Sequence, residues 1–259
     1  MDENITQHFR PDEAPFIAAV GNWLQQVQDE YRPVLTHFLN PRQVYVATTL
    51  ARRADIAVRF NGGYPGAEMQ RALFYPAYYE PTITDFELSL VRVDYPVKFA
   101  TLHHSQILGT LLGSGIEREI VGDILTDGQT WQLITETNMV NYLSNQIDRI
   151  GRVKARLVLA DWESRVRPMD EWTPETATLS SLRLDNIVGS GFHLSRHRAK
   201  ELIEAGKIRV NWADTEKPDY ELAVADLVSV RGFGRIRLDE VAGRTKKEKI
   251  RVVLSVLKK

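Results

Sequence analysis

The sequence predicts an α+β protein in three parts: an N-terminal α/β unit over residues 1–81, a central βαββαβ domain over 82–165 and, after a linker over 166–180, a basic module over 181–259. Three observations predict it. Apolar residues recur at helical spacing in the first forty residues, the middle of the chain alternates strand and helix patterns in a fixed order, and charge divides sharply along the chain. From Leu179 to Lys259 there are 17 Lys and Arg against 11 Asp and Glu, net +6, whereas Met1 to Thr178 carries 16 against 23, net -7. The formal charge of -1 hides that division.

The elements follow in chain order. Phe16, Ile17, Val20, Trp23, Leu24 and Val27 repeat every three or four residues and mark an amphipathic helix. A second helix starts after Pro41, with Val44, Val46, Ala47 and Leu50 inward and Arg52 and Arg53 closing it. Ile56–Phe60 and Arg71–Tyr75 read as strands around the turn Asn61–Gly66. Next come a strand holding Phe86, Leu88, Leu90, Val91 and Val93, a helix over Ser105–Leu112, and strands Ile120–Leu125 and Trp131–Thr135 across the turn Thr126–Gln129. A helix over Val140–Ile147 and a last strand over Val153–Leu159 complete a ferredoxin-like order. The same topology underlies the RNA-recognition motif, which stacks bases on aromatics of its inner strands. Here those strands, Phe86–Val93 and Trp131–Thr135, lack the aromatic-glycine pattern of such a sheet, so a structural or docking role is expected of this domain. Pro168–Ser180, with Pro174, three threonines and Asp170, Glu171 and Glu175, reads as a linker.

Composition excludes several classes. Apolar residues at 43% and charged residues at 26% are those of an ordinary globular protein. Cysteine is absent, which removes disulfides, thiolate metal sites and thiol nucleophiles and fits a cytoplasmic protein. Asp2, Glu3, Asp12 and Glu13 rule out a signal peptide at the start. The longest uncharged stretch, Phe99–Ile116, carries His103, His104, Ser105 and Gln106 and would insert poorly into a bilayer. Neither a membrane partner nor a small-molecule cofactor is expected.

The informative constellation lies in the basic third. Ser195, preceded by Leu194, is placed to cap a helix that buries Ala199, Leu202 and Ile203 and leaves Arg196, Lys200 and Arg198 outside. Gly206 stops that helix, and a strand follows in which Ile208 and Val210 face in while Lys207, Arg209 and Asn211 face out. Cations presented from two consecutive elements suit a phosphate backbone, because each neutralised phosphate releases counterions. The spacing of Arg183, Leu184, Asp185, Ser195, Arg196, Ala199, Leu202, Ile203, Gly206, Val210 and Asn211 resembles the S4 RNA-binding domain, and Asp226–Gly232 resembles its closing strand. The sequence departs from that pattern at Val188, where leucine is usual, at Trp212, where glycine commonly follows the asparagine, and at Ala225, where glycine commonly precedes the aspartate.

Further motifs extend the likeness over nearly the whole chain. Asn61–Glu68, His104–Gly115 followed by Ile116–Glu119 and Gly122–Ile124, and Arg231–Arg235 ahead of Thr245–Lys247 resemble the YlmH family of bacterial proteins. That resemblance implies a central domain like the RNA-recognition motif and a C-terminal S4 domain acting on ribosomal RNA or tRNA at the large subunit. It places RNA contacts on Arg183, Ser195, Arg196, Arg198, Lys200, Lys207, Arg209 and Asn211. Arg231 and Arg235 flank a glycine-rich turn expected to let backbone approach RNA, and Lys246 and Lys247, with Arg244, Lys249 and Arg251, form a basic tail that extends the track or stays solvated.

The remaining motifs stay below chemistry. His103 and His104 have no HxxxH or carboxylate pair to complete a metal site. Asn61–Gly66 lacks P-loop spacing, Gly109, Gly113 and Gly115 fit helix packing and termination, and Ser114 is not in a GxSxG elbow. Asp185 is expected to pair with an arginine or cap a helix. The expected protein is a non-enzymatic, monomeric RNA-binding factor. Its alternatives are an RNA-modifying enzyme that uses the module for substrate delivery and an adaptor linked to cell division.

Overall fold

The computed structural model describes residues 9–168 and 172–259, in two compact units, Met1–Met169 and Asp170–Lys259. Asp2, Glu3, Asp170 and Glu171 lie outside the described residues.

The first unit opens with helix α1 (Ala14–Glu30), strand β1 (Val34–Leu39), helix α2 (Pro41–Arg53) and strands β2 (Ala57–Asn61) and β3 (Gln70–Tyr75). Ile17, Val20, Leu24 and Val27 form the buried stripe of α1. The Asn40 side chain accepts from the Gln43 amide at 2.9 Å while Gln43 reciprocates at 2.8 Å, a capping box that fixes the start of α2 with Pro41 in the first turn. The strands pair antiparallel in the order β1-β3-β2, and the two helices cover one face around Ala72 and Phe74. Strand β1 is not announced by periodicity. A register shift between Leu35 and Phe38 breaks the two-residue alternation that would reveal it.

The central domain contains β4 (Leu88–Asp94), α3 (His104–Gly113), β5 (Val121–Thr126), β6 (Trp131–Glu136), α4 (Val140–Gln146), β7 (Arg149–Ile150), β8 (Val153–Lys154) and β9 (Arg156–Ala160). Its four-stranded antiparallel sheet runs β5-β6-β4-β9, so β4 and β6 are the inner strands, as the ferredoxin-like order requires. Ile107, Leu111 and Leu143 from the helices pack on Val91, Val93, Leu133 and Leu157. The expected last strand divides in two. Val153–Lys154 folds back on Arg149–Ile150 as a hairpin, the buried Ala155 donates to the Asp148 carbonyl at 3.0 Å, and only Arg156–Ala160 joins the sheet.

On the other face of that sheet Leu90, Gln132, Ile134 and Glu136 are buried as well. A Cβ at Gly122 would lie 2.7 Å from the Phe38 ring, and one at Gly63 (φ +91°) would lie 2.6 Å from Trp162 and 3.1 Å from Ile134. The Gln132 side chain donates to the Ser164 carbonyl at 2.9 Å and accepts from the Val166 amide at 2.8 Å. The turn Asn61–Gly66 acts as a joint: Tyr64 donates its hydroxyl to Asp123 at 2.7 Å, and the Glu68 and Met69 amides donate to the same carboxylate. Burial, reinforced by Asp123, pushes the Tyr64 hydroxyl up, so it stays a donor. The face on which an RNA-recognition motif stacks bases is therefore a packing surface within this unit.

The second unit comprises β10 (Thr173–Leu179), α5 (Leu184–Gly191), α6 (Arg196–Glu204), β11 (Ile208–Val210), β12 (Ala213–Asp214), β13 (Leu227–Val230), β14 (Gly234–Arg244) and β15 (Ile250–Lys258). The sheet order is β10-β15-β14-β13-β11-β12, with α5 and α6 packed on one face around Ile187, Leu202, Ile236 and Leu254. Two expectations are corrected. The segment read as linker contains β10, paired residue for residue from Thr173↔Val256 to Leu179↔Ile250, and Pro174 is tolerated because β10 is an edge strand. The basic tail is a hairpin of two long strands, with Lys246 and Lys247 in the exposed turn between them.

Candidate nucleic-acid interface

Asp185 organises the site. It sits in the first turn of α5, its amide donates to the Pro218 carbonyl at 3.1 Å, and it is 2% exposed. Its carboxylate accepts from Arg183 at 3.2 and 3.1 Å and from Arg196 at 3.1 Å. Burial works against its charge, but the hydrogen bonds and charges of Arg183 and Arg196 outweigh burial and hold the carboxyl below its ordinary value. The two arginine side chains are 35% and 62% exposed, so a buried anion holds two open cations in place. Together with His197, Lys200 and Glu204 these residues line an open cleft of about 530 Å³. Fixed, outward guanidinium groups suit bidentate phosphate contact, and Lys200 adds a point charge.

Along α6 the Ser195 hydroxyl accepts from the Arg198 amide at 3.2 Å, the expected cap. Gly206, with φ of +62°, ends the helix in the left-handed conformation. On the outer surface Arg198 pairs with Glu201 at 2.9 Å, His197 with Glu201 at 3.3 Å and Lys200 with Glu204 at 3.5 Å. Exposed pairs of this kind contribute up to about 1 kcal/mol and give way to a phosphate at small cost.

The strand that follows alternates as expected at Ile208, Arg209 and Val210, with Arg209 paired to Asp214 at 2.8 Å. Asn211 differs. It does not face out: its side chain donates to Asp226 at 2.8 Å and accepts from the Leu227 amide at 2.9 Å, while its backbone is left-handed at φ +48°. Asp226, fully buried, also accepts from the Ala223 amide at 2.8 Å, so Asn211 and Asp226 lock two loops together. Both departures from the glycine pattern fall here, on Trp212 (φ +67°) and Ala225 (φ +70°), backbone conformations that glycine adopts without strain.

The remaining expected contacts separate. The Arg231 amide donates to the Lys207 carbonyl at 2.9 Å, which brings Lys207, Arg231 and Arg235 to one end of the sheet. The two glycines of the turn between the arginines differ: Gly232 (φ +90°) has open space where a Cβ would stand, whereas Gly234 is closed off by the chain itself. A Cβ on Gly234 would lie 2.0 Å from the Leu257 carbonyl, and Phe233 packs on Phe192, so this second glycine serves the chain's own β15. Lys246 and Lys247 lie beyond the far end of β14, roughly 30 Å away by strand rise. Sequence reasoning missed His197 in the cleft and the platform of Trp172, whose ring lies 5.5 Å from both Arg235 and Arg237. Arg235 and Arg237 stand two apart on one strand, but the aromatic between them comes from a segment that reads as linker. Among the described residues no group of three or more His, Asp or Glu converges as a metal site, and no helix is long and apolar enough to cross a membrane.

The chain is similar to known proteins along nearly its whole length. Residues 12–79 match the family model "YlmH, N-terminal", residues 81–164 match "Putative RNA-binding domain in YlmH", and residues 182–228 match "S4 domain". The chain is 37% identical over 249 residues to the Ribosome-associated protein quality control protein P2 of Bacillus subtilis (strain 168), covering 96% of this chain and 97% of that protein. A solved structure, "Cell division protein ylmH from Streptococcus pneumoniae", superposes with a TM-score of 0.55 at 34% identity over 62% of this chain and 98% of that one.

Proposed function

The chain belongs to the YlmH family, and we propose that it is a non-enzymatic RNA-binding protein that engages structured ribosomal RNA or tRNA at the large ribosomal subunit, in translation or ribosome quality control. The observation that carries this reading is the cleft in which Asp185 fixes Arg183 and Arg196 beside Lys200. The S4 match over the same residues and the name of the Bacillus relative support it. Arg198 and Arg209 extend the surface, Ser195 sets the helix that presents it, and Asn211 holds the loops that frame it. Lys207, Arg231 and Arg235 at one sheet end and Lys246 and Lys247 at the other are outlying contacts of a long RNA.

Titration of the full chain with bulk tRNA and large-subunit ribosomal RNA at several salt concentrations tests the reading. Binding weakens steeply with salt, and Arg196→Ala with Lys200→Ala reduces the slope of log affinity against log salt by about 1.4, at roughly 0.7 for each single-strand phosphate no longer neutralised. The weakening is uniform across RNA sequences, because phosphate contacts position and do not specify. A slope near zero for the unaltered protein removes the proposal. The name of the Streptococcus protein favours a second reading, an adaptor of cell division; a protein partner retained after nuclease treatment would support it.

A further inference from the structure

We propose that the β7–β8 hairpin of the central domain is a second RNA contact, in which Arg149, Arg152 and Lys154 bind the phosphate backbone. The inference rests on the RNA-binding reading above and adds a site outside the S4 domain.

The hairpin places three cations within six residues, in a unit whose overall charge is acidic. Arg149 pairs directly across from Lys154, with Ile150 across from Val153 and Gly151-Arg152 as the turn. Like charges directly opposite on a two-strand ladder are destabilising, and their Cβ atoms lie only about 5 Å apart. One phosphate seated between the two side chains removes the repulsion and accepts from both.

The hairpin's cations also differ from those of the C-terminal unit's candidate interface in their partners. Arg183 and Arg196 share Asp185, Arg198 has Glu201, Lys200 has Glu204 and Arg209 has Asp214. Arg149 has only Asp148, at 3.9 Å with side chains 67% and 85% exposed, and among the described residues Arg152 and Lys154 form no ion pair. Arg152 and Lys154 bind an anion without first giving up a carboxylate, and Arg149 gives up only a long, exposed pair.

The hairpin is also held in place. Ile150, 1% exposed, inserts into the core of the central domain, Ala155 closes the hairpin's base on the Asp148 carbonyl, and Gly151, left-handed at φ +58°, lies against Gln106 of α3. Cations on an anchored turn lose little freedom on binding, unlike those on a mobile tail.

The test uses the full chain carrying Arg149→Gln, Arg152→Gln and Lys154→Gln together, probed with bulk tRNA, deproteinised large-subunit ribosomal RNA and intact large subunits. The expected result is a salt slope about 1.4 lower than that of the unaltered protein on at least one naked RNA, at roughly 0.7 for each of two phosphates, one shared by Arg149 and Lys154 and one at Arg152. The charge-preserving set Arg149→Lys, Arg152→Lys and Lys154→Arg retains the slope. The thermal midpoint does not fall, since a repulsive pair has been removed. If the triple variant binds like the unaltered protein while Arg196→Ala with Lys200→Ala weakens binding, the hairpin site is overturned and the RNA-binding reading survives. Weakening confined to intact subunits assigns the hairpin to a ribosomal protein and overturns an RNA contact. No salt-dependent binding by the unaltered protein overturns both.

Discussion

Two buried carboxylates, one in each unit, meet arginine in opposite settings. Glu136, 2% exposed, lies 2.6 Å from His37 and 3.7 Å from Arg71, whose own side chain is 6% exposed and whose other donors reach the carbonyls of Thr36 at 2.7 Å and Phe86 at 3.1 Å. Asp185 is as buried, but its arginines stand open to solvent. The same ion pair thus does two jobs. Where both partners are sealed it joins the N-terminal strands to the central sheet. Where only the anion is sealed it aims cations outward. Exposure of the cation, rather than the presence of a salt bridge, separates the sealed Arg71 pair from the one proposed to bind.

Three substitutions sharpen or break that contrast. The largest effect is expected of Glu136→Ala, which removes the carboxylate beside the buried Arg71 and leaves its guanidinium to the carbonyls of Thr36, Phe86 and Glu87. Denaturant unfolding of the full chain should show a loss of about 3–5 kcal/mol, with the salt slope for RNA unchanged under native conditions. An unshifted midpoint would mean the sealed pair holds nothing together.

Asp185→Asn comes next, with about 1.5–3 kcal/mol lost, the range for hydrogen bonds to a charged group, and with weaker RNA binding because Arg183 and Arg196 lose their common anchor. Its acid profile gives a second readout. The folded carboxyl lies below its ordinary value of 3.8, so its contribution is fully present above that pH and fades as pH falls through the folded value. The unaltered protein therefore loses stability in that acid window, and Asp185→Asn lacks this part of the loss. Identical acid profiles would show that the arginines do not stabilise the ionised form.

The smallest effect concerns the frame around the cleft. Ala225→Gly relieves a left-handed alanine at φ +70° and should raise stability by about 1 kcal/mol, read as an increase in Tm. RNA affinity should stay the same, since Ala225 is expected only to close a loop.

The sequence by itself determined the helices and most strands, because their signals are local: the apolar stripe of α1, the Pro41 start of α2, the Ser195 cap and Gly206 stop of α6, and the alternation at Ile208–Val210. It also marked the basic module and the arginines Arg183 and Arg196. Tertiary structure decided the rest, because the deciding partners are distant in the chain. Strand β10 has few apolar residues and becomes a strand through Val256 and its neighbours, some eighty residues on. Asn211 reads as an outward position by alternation, yet Asp226 and Leu227 turn it inward. The central sheet reads as open on one face until Phe38, Gly63 and Trp162 cover it. Net charge counts cations, and only the fold shows which carboxylates neutralise them: Asp185 and its neighbours in the C-terminal unit, and almost none at the hairpin of Arg149, Arg152 and Lys154. Periodicity is a property of neighbours in sequence, whereas burial and ion pairing belong to neighbours in space.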